Sequence, residues 1–222
     1  MNIISLLIKI LIFAIPVLFS IIIHEVSHGW IAYKLGDDTA KRMGRLTLNP
    51  IPHIDPVGTI VLPLIMIIAN GPVFGWAKPV PVNPNNFRQS VNIRSGMMWV
   101  GLAGPVSNLI LAFISSFIYF FIYKYFSASS LIYLISQLLE VFIYINIMLA
   151  CFNLIPIPPL DGSKILMRFI PANYVPYYLM LERYGMMIII LLLATGVISD
   201  IIITPINYLY NVFILIPKIL LG

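Results

Sequence analysis

Two histidines and a glutamate stand together inside the long apolar stretch with which the chain begins. His24, Glu25 and His28 form an H-E-x-x-H pattern. Histidines at i and i+4 lie on one face of a helix, so both imidazoles can reach one metal ion. Glu25 can accept a proton from a water on that ion, which is the chemistry of zinc hydrolases. Ionisable groups cost about 2.5–3.5 kcal/mol each at mid-bilayer, so three of them together in an apolar helix indicate a function.

One more ligand is needed, because a catalytic zinc ion usually has three protein ligands and an open position for water. His53, Asp55 and Asp161 are the candidates in the rest of the sequence. Asp161 follows residues 156–159, where three of the four residues are proline and a regular helix cannot continue. We therefore expect a membrane span to be broken next to Asp161.

The depths of these side chains can be compared through the rise of about 1.5 Å per helical residue. His24 lies about 15 Å and His28 about 9 Å from the level of Lys34, a basic residue at the end of the helix. Asp161 lies roughly 10 Å from the same edge if a helix resumes at Gly162. The depths agree, which makes Asp161 the candidate third ligand, although the same residue could instead cap that helix.

The composition is that of an integral membrane protein. Of the 222 residues, 60% are hydrophobic and 9% are charged, and the mean hydropathy is +1.00. Soluble domains have about 45–50% apolar and about 25% charged residues, so this much apolar surface could not be hidden in one core. The same composition, with Cys151 as the single cysteine, argues against intrinsic disorder, nucleic-acid binding and a secreted disulfide scaffold.

A helix needs about 20 residues to cross a hydrocarbon core of about 30 Å. Lys9 interrupts the first apolar stretch and no cleavage site follows, so we predict a retained span that continues to about Tyr33 rather than a signal peptide. We predict an α-helical polytopic membrane protein with about five to six membrane helices, in one domain over 1–222 with core motifs at 24–168. The apolar stretches are 3–23, 57–69, 97–123, 131–155, 186–198 and 201–216, of which the last two can span only as tilted or extended helices.

The remaining stretch, 57–69, is too short to span and is predicted to enter the membrane and return. A break follows at 70–72, and 76–82 has the pattern of a β-hairpin arm, so 56–84 would form a re-entrant segment and a small membrane-embedded β-hairpin. Eleven of the 13 Lys and Arg residues then share one side, with Lys124 opposite and Lys9 inside the first helix. Positive charge marks the cytoplasmic side, which predicts a multi-pass protein of the cell membrane with its active site nearer the cytoplasm.

Taken in order, these motifs resemble those of the site-2 proteases, which are intramembrane zinc metalloproteases of the M50 group. The resemblance is to the compact prokaryotic type, since the sequence contains no PDZ or CBS module. It covers about two-thirds of the chain, and residues 74–84 look like the membrane-embedded β-segment of that family. The motifs are HEVSHG at 24–29, AGPVSN at 103–108 and FNLIPIPPLDG at 152–162.

The resemblance implies one Zn²⁺ per chain, bound by His24, His28 and Asp161, with Glu25 as the catalytic acid/base. The implied activity is hydrolysis of peptide bonds in or near transmembrane segments of membrane-protein substrates. It also implies that Asn153 lies near the substrate backbone. The motif continues Gly162-Ser163-Lys164, where many members have a second glycine and an arginine.

Further candidate substrate-binding residues are Asn108, Trp76 and Val80. Buried amides on spans, such as Asn108, more often form hydrogen bonds between helices. The segment around 76–82 could pair with an unwound substrate as an added strand, and its two prolines would leave one edge free. His53 is a candidate extra or inhibitory ligand, although such a residue more often braces a turn.

Two other functions remain open from the sequence. A metal transporter or sensor could use the same ligands, but the paired repeats and serial metal sites of transporters are not evident. An inactive scaffold would not need Glu25, and a membrane zincin of another type would need a later glutamate, where Glu140 and Glu182 lack a matching context. The partners expected are a transmembrane substrate and the lipid bilayer, without nucleic acid. A homo-oligomer is compatible with the sequence, which does not specify the oligomeric state.

Overall fold

The computed structural model describes residues 3–61, 65–66, 77–126 and 129–221, and these are almost entirely helical. Five of the helices in these ranges are long and apolar enough to cross a membrane. The chain is therefore a multi-pass membrane protein, as its composition predicted. The helices, numbered in chain order, are α1 Ile3–Leu35, α2 Thr39–Arg42, α3 Ile93–Tyr125, α4 Ser130–Asn153, α5 Asp161–Met167, α6 Val175–Ala194 and α7 Val197–Leu221.

Helix α3 is the centre of the bundle. It packs against α1, α4, α5 and α7, whereas α6 packs mainly against α7. Its start is fixed by Asn92, whose side chain accepts a hydrogen bond from the backbone of Ser95, the usual way to satisfy a free N–H at a helix start. A dry cluster of Ala112, Ile143 and Ile206 joins α3, α4 and α7. Helix α3 therefore contacts both α1 and α5, the two helices that carry the metal-site candidates described below.

Prolines separate the long α4 from the short α5. Helix α4 ends at Asn153, and α5 begins at Asp161 after the proline-rich segment. Gly162 is required at this junction, because a Cβ there would lie 2.2 Å from the carbonyl oxygen of Leu154. At the other end of α5, the guanidinium of Arg94 donates hydrogen bonds to the carbonyls of Met167 and Ile170. The predicted break at Asp161 is therefore present, and Asp161 lies in the first turn rather than at the cap position.

The segment between α2 and α3 differs most from the expectation. Residues Pro56–Val61 form a π-helical turn and Pro84–Asn86 a 3₁₀ turn, while 77–83 have no regular secondary structure. The described residues contain no β-strand, so the predicted hairpin is not supported. Residues 62–64 and 67–76, which include part of the predicted re-entrant segment, lie outside the described residues.

The last two spans are longer than their apolar stretches indicated. Helix α6 begins at Val175, eleven residues before the stretch 186–198, and includes Glu182 and Arg183. Helix α7 contains Pro205 and Pro217 and still runs to Leu221. Both helices therefore reach spanning length by extension, which was one of the two possibilities that their sequences left open.

Candidate metal centre

Helices α1 and α5 bring two imidazoles and one carboxylate to a single point. Nε2 of His24 and Nε2 of His28 each lie 3.0 Å from Oδ2 of Asp161. All three side chains are buried, and their ligand atoms lie within 4.8 Å of one another. The helical repeat stacks the histidines one turn apart, and the proline break turns the carboxylate toward them.

Backbone and side-chain acceptors hold the far side of each imidazole. Nδ1 of His24 lies 2.6 Å from Oδ1 of Asn108, and Nδ1 of His28 lies 2.6 Å from the carbonyl oxygen of Val100. A carbonyl oxygen can only accept, so each Nδ1 donates its proton and each Nε2 keeps its lone pair. This is the arrangement that metal-ligating histidines usually have.

Three lone pairs then face one another, which favours a cation between them. The buried Oδ2 of Asp161 has no hydrogen-bond partner of acceptable geometry among the described residues. Ligands about 2.0–2.1 Å from a tetrahedral zinc are about 3.3 Å apart, close to the 3.0 Å contacts observed here. The donor set of two nitrogens and one oxygen suits zinc and leaves a fourth position open.

A cavity of about 330 Å³ opens onto this cluster. Glu25 lies beside the two histidines, and its Oε2 accepts a hydrogen bond of 2.8 Å from the backbone N–H of Val80. The segment 77–83 therefore forms one wall of the cavity, and its Val80 N–H donates to Glu25 there. Other lining residues are Pro79, Val82, Met97, Asn153, Pro159 and Lys164.

The second carboxylate oxygen of Asp161 has a different partner. Nζ of Lys164 donates to Oδ1 of Asp161 over 2.8 Å, one helical turn along α5. Lys164 reaches this position past Gly101 of α3, where a Cβ would lie 3.0 Å from the Cβ of the lysine. The carboxylate is thus divided, with Oδ1 held by the ammonium group and Oδ2 facing the imidazoles.

Gly104 of α3 lies directly against the rings of the two histidines. A Cβ at position 104 would lie 2.5 Å from Cε1 of His24 and 2.6 Å from Cε1 of His28. The absence of a side chain is therefore what lets the imidazoles pack against α3. The sequence marked Gly104 only as part of a motif, and its role depends on which face of α3 meets α1.

Two buried charged side chains that lie outside the spans form hydrogen bonds with the backbone of the segment 77–83. Nη2 of Arg45 donates to the carbonyls of Lys78 and Pro79. Oδ2 of Asp37 accepts from the backbone N–H of Asn83 over 2.7 Å, and its Oδ1 accepts from Asn86. Burial would raise the pKa of Asp37, but these hydrogen bonds and those from Thr39 outweigh it and lower the pKa below its ordinary value of 3.8.

The remaining candidates are distributed unequally around the cavity. Asn153 lines it, and its Nδ2 donates to the carbonyl of Leu149. Asn108 does not line it, because its amide is fully buried against His24, so the structure gives it an interhelical position instead of a substrate contact. His53 is buried, contacts the carbonyl of Thr47 through Nε2, and is not part of the ligand cluster in the described ranges. Trp76 lies outside the described residues.

Comparison with known proteins adds a family match and several relatives. The family model described as Peptidase family M50 matches residues 12–196. A Bacillus subtilis protein named "Putative zinc metalloprotease YwhC" is 41% identical over 188 residues, covering 82% of this chain and 79% of the relative. A Mycolicibacterium smegmatis protein named "Putative zinc metalloprotease Rip2" is 26% identical over 183 residues, covering 82% and 66%. No solved structure gives a significant match.

Proposed function

Because this chain belongs to peptidase family M50 and is an intramembrane zinc metalloprotease, we propose that it cleaves peptide bonds in or near transmembrane segments of membrane proteins. The observation that carries this proposal is the meeting of His24, His28 and Asp161 beside Glu25, at one cavity between membrane helices. The site belongs to a single catalytic domain formed by residues 1–222.

The zinc ion of this enzyme is assigned to Nε2 of His24, Nε2 of His28 and Oδ2 of Asp161. When bound there, zinc supplies a Lewis acid that acidifies water and polarises the scissile carbonyl. Glu25 takes a proton from the attacking water and later gives it to the leaving nitrogen of the peptide. The hydrogen bond from the Val80 N–H to Oε2 holds the Glu25 carboxylate at the cavity. The other oxygen, Oε1, accepts and donates the proton.

The substrate must be held in an extended form, because the carbonyls of a helix are engaged in hydrogen bonds of their own. We assign this task to the edge of the segment 77–83 on which Val80 lies, through main-chain groups other than the Val80 N–H, which donates to Glu25. Pro79 and Pro81 have no N–H, so the opposite edge cannot pair in the same way. Added-strand recognition of this kind uses main-chain hydrogen bonds for affinity. Asn153 and Trp76 complete the assigned substrate contacts.

The active site is assigned to the cytoplasmic half of the cell membrane. Lys34 lies in the last turn of α1, and Lys41 and Arg42 follow that helix, whereas Lys124 lies in the last turn of α3. The excess of basic residues on the first side supports a cytoplasmic location. His28 lies about 9 Å and His24 about 15 Å from the level of Lys34, so water has the shorter path from the cytoplasm.

The test is cleavage of a single-span model substrate by the purified protein in liposomes, with zinc content measured in parallel. Glu25→Gln should keep one zinc per chain and lose activity by about 10²–10⁴-fold, because it cannot accept the proton. Glu182→Gln, on the exposed face of α6, is the matched control and should cleave normally. Equal cleavage by Glu25→Gln and the wild type would refute the assignment of Glu25.

A further inference from the structure

A line of buried polar side chains runs from the metal cluster across three helices. His24 on α1 contacts Oδ1 of Asn108 on α3. Nδ2 of Asn108 donates to Oδ1 of Asn146 on α4 over 2.7 Å, and Nδ2 of Asn146 donates to Oγ of Ser20 over 2.8 Å. Asn108, Asn146 and Ser20 are all fully buried. Asn146 touches neither the cavity nor a ligand atom.

The far end of this line has a fixed direction. Nδ2 of Asn146 also donates to the carbonyl oxygen of Phe142, one turn back on α4, over 2.8 Å. A backbone carbonyl can only accept a hydrogen bond, so the amide of Asn146 must point its NH₂ group toward it. Oδ1 of Asn146 then faces Asn108, which must donate to it from its own NH₂ group. The carbonyl of Ser20, 3.3 Å from the same NH₂ group, requires the same orientation.

The orientation of the Asn108 amide determines which nitrogen of the His24 imidazole carries the proton. With its NH₂ group committed, Asn108 offers only Oδ1 to His24, so the proton of His24 stands on Nδ1 and the lone pair stands on Nε2. If the amide of Asn108 were reversed, Nδ1 would have to accept, the proton would move to Nε2, and that nitrogen could not bind a metal. The orientation of one amide therefore decides whether His24 is a ligand.

From this geometry we propose that Asn146 is a positioning residue for the zinc site, acting through Asn108 to fix the metal-binding tautomer of His24. The proposal rests on the assignment of His24 as a zinc ligand. Groups beyond the ligands commonly orient them, and their loss typically lowers metal affinity about 10–100-fold. The alternative is that Asn146 only joins the helices, as buried amides in membrane proteins often do.

The test measures zinc affinity of the purified full chain by competition with a chelator. Asn146→Ala and the similarly branched, apolar Asn146→Leu should each weaken zinc binding about tenfold. Ser116→Ala removes another fully buried polar group of α3, whose hydroxyl donates only within its own helix, and should leave zinc affinity unchanged. Wild-type affinity in Asn146→Leu would overturn the proposal.

The same measurement in an Asn108→Asp background separates positioning from helix packing. A carboxylate accepts through either oxygen, so Asp at 108 needs no partner to orient it toward His24. Asn146→Ala should then change zinc affinity by no more than about twofold. An equal loss in both backgrounds would overturn the proposal in favour of packing. Should Asn108→Asp fail to fold, the comparison of Asn146→Leu with Ser116→Ala still decides.

His24→Ala identifies the source of a failure. If it abolishes tight zinc binding while Asn146→Leu binds zinc as the wild type does, the positioning role of Asn146 is wrong and the assignment of His24 as a ligand stands. If His24→Ala keeps full zinc affinity, His24 is not a ligand, and the positioning role of Asn146 fails as well.

Discussion

At the scale of single residues, the two oxygens of Asp161 have separate partners. Oδ2 faces both imidazoles at 3.0 Å, whereas Oδ1 accepts from Lys164 at 2.8 Å. A carboxylate held on one oxygen presents the other in a defined direction. In the sequence, Lys164 is noted only as a position where the motif departs from the family pattern, and its contact with Asp161 gives it a role in orienting that carboxylate.

Lys164→Met should lower zinc affinity about tenfold, because it removes the donor that orients Asp161. Lys164→Arg should retain most of the affinity, since a guanidinium can donate to the same oxygen. Zinc titration of the purified variants measures both effects. Wild-type affinity in Lys164→Met would show that the contact with Oδ1 does not orient the ligand.

The cluster of His24, His28 and Asp161 could be predicted because its signals are local. The i, i+4 spacing puts the histidines on one face, and the prolines end a helix before Asp161. The contributions of Asn146 and Gly104 could not be predicted, because they depend on which faces of α1, α3 and α4 meet. The sequence left open whether Asn108 contacts substrate or joins helices, since it does not say which side of α3 faces the cavity.

At the scale of elements, the segment 77–83 shows how a segment without regular secondary structure can be held in place. Arg45 and Asp37 hold its backbone from outside the spans, and Glu25 contacts it at Val80. No regular ladder is needed to fix it, which explains why a hairpin pattern in the sequence corresponds to no strand in the described part of the chain. The long apolar helices were predicted well, because length and hydropathy decide them.

Val80→Pro tests whether the hydrogen bond from this backbone positions Glu25. The change removes the N–H that donates to Oε2 of Glu25, so cleavage should fall about tenfold or more, the worth of one hydrogen bond of about 1.4 kcal/mol. Zinc content should stay at the wild-type level. Val80→Ala keeps the N–H and is the control, and steady-state cleavage of a single-span substrate is the measurement. If both variants cleave equally well, the Val80 N–H is not used.

At the scale of the whole molecule, a polar site is surrounded by apolar helices. The ligand cluster is buried between α1, α3 and α5, while α6 and α7 expose large apolar side chains such as Met187, Ile190 and Ile201. Such exposure is expected where lipid is the solvent. The asymmetry of basic residues is the basis of the proposed orientation of the bundle.

The orientation predicts which loops can be labelled from outside intact cells. Cys151 is the single cysteine, so Cys151→Ser gives a background without thiols. An impermeant maleimide should label Tyr125→Cys, at the end of α3, and should not label Arg42→Cys until the membrane is opened. Labelling of Arg42→Cys in intact cells would place the basic side outside and contradict the assigned topology.

Zinc-edge X-ray absorption of the purified protein tests the central claim most directly, because it counts the ligand types on the metal. The chain offers three histidines and one cysteine, so the alternatives are few. The account predicts two imidazoles, with oxygen completing the zinc site at about 2.0–2.2 Å, and weaker binding in Asp161→Ala. A third imidazole, a thiolate, or an unchanged site in Asp161→Ala would contradict the account.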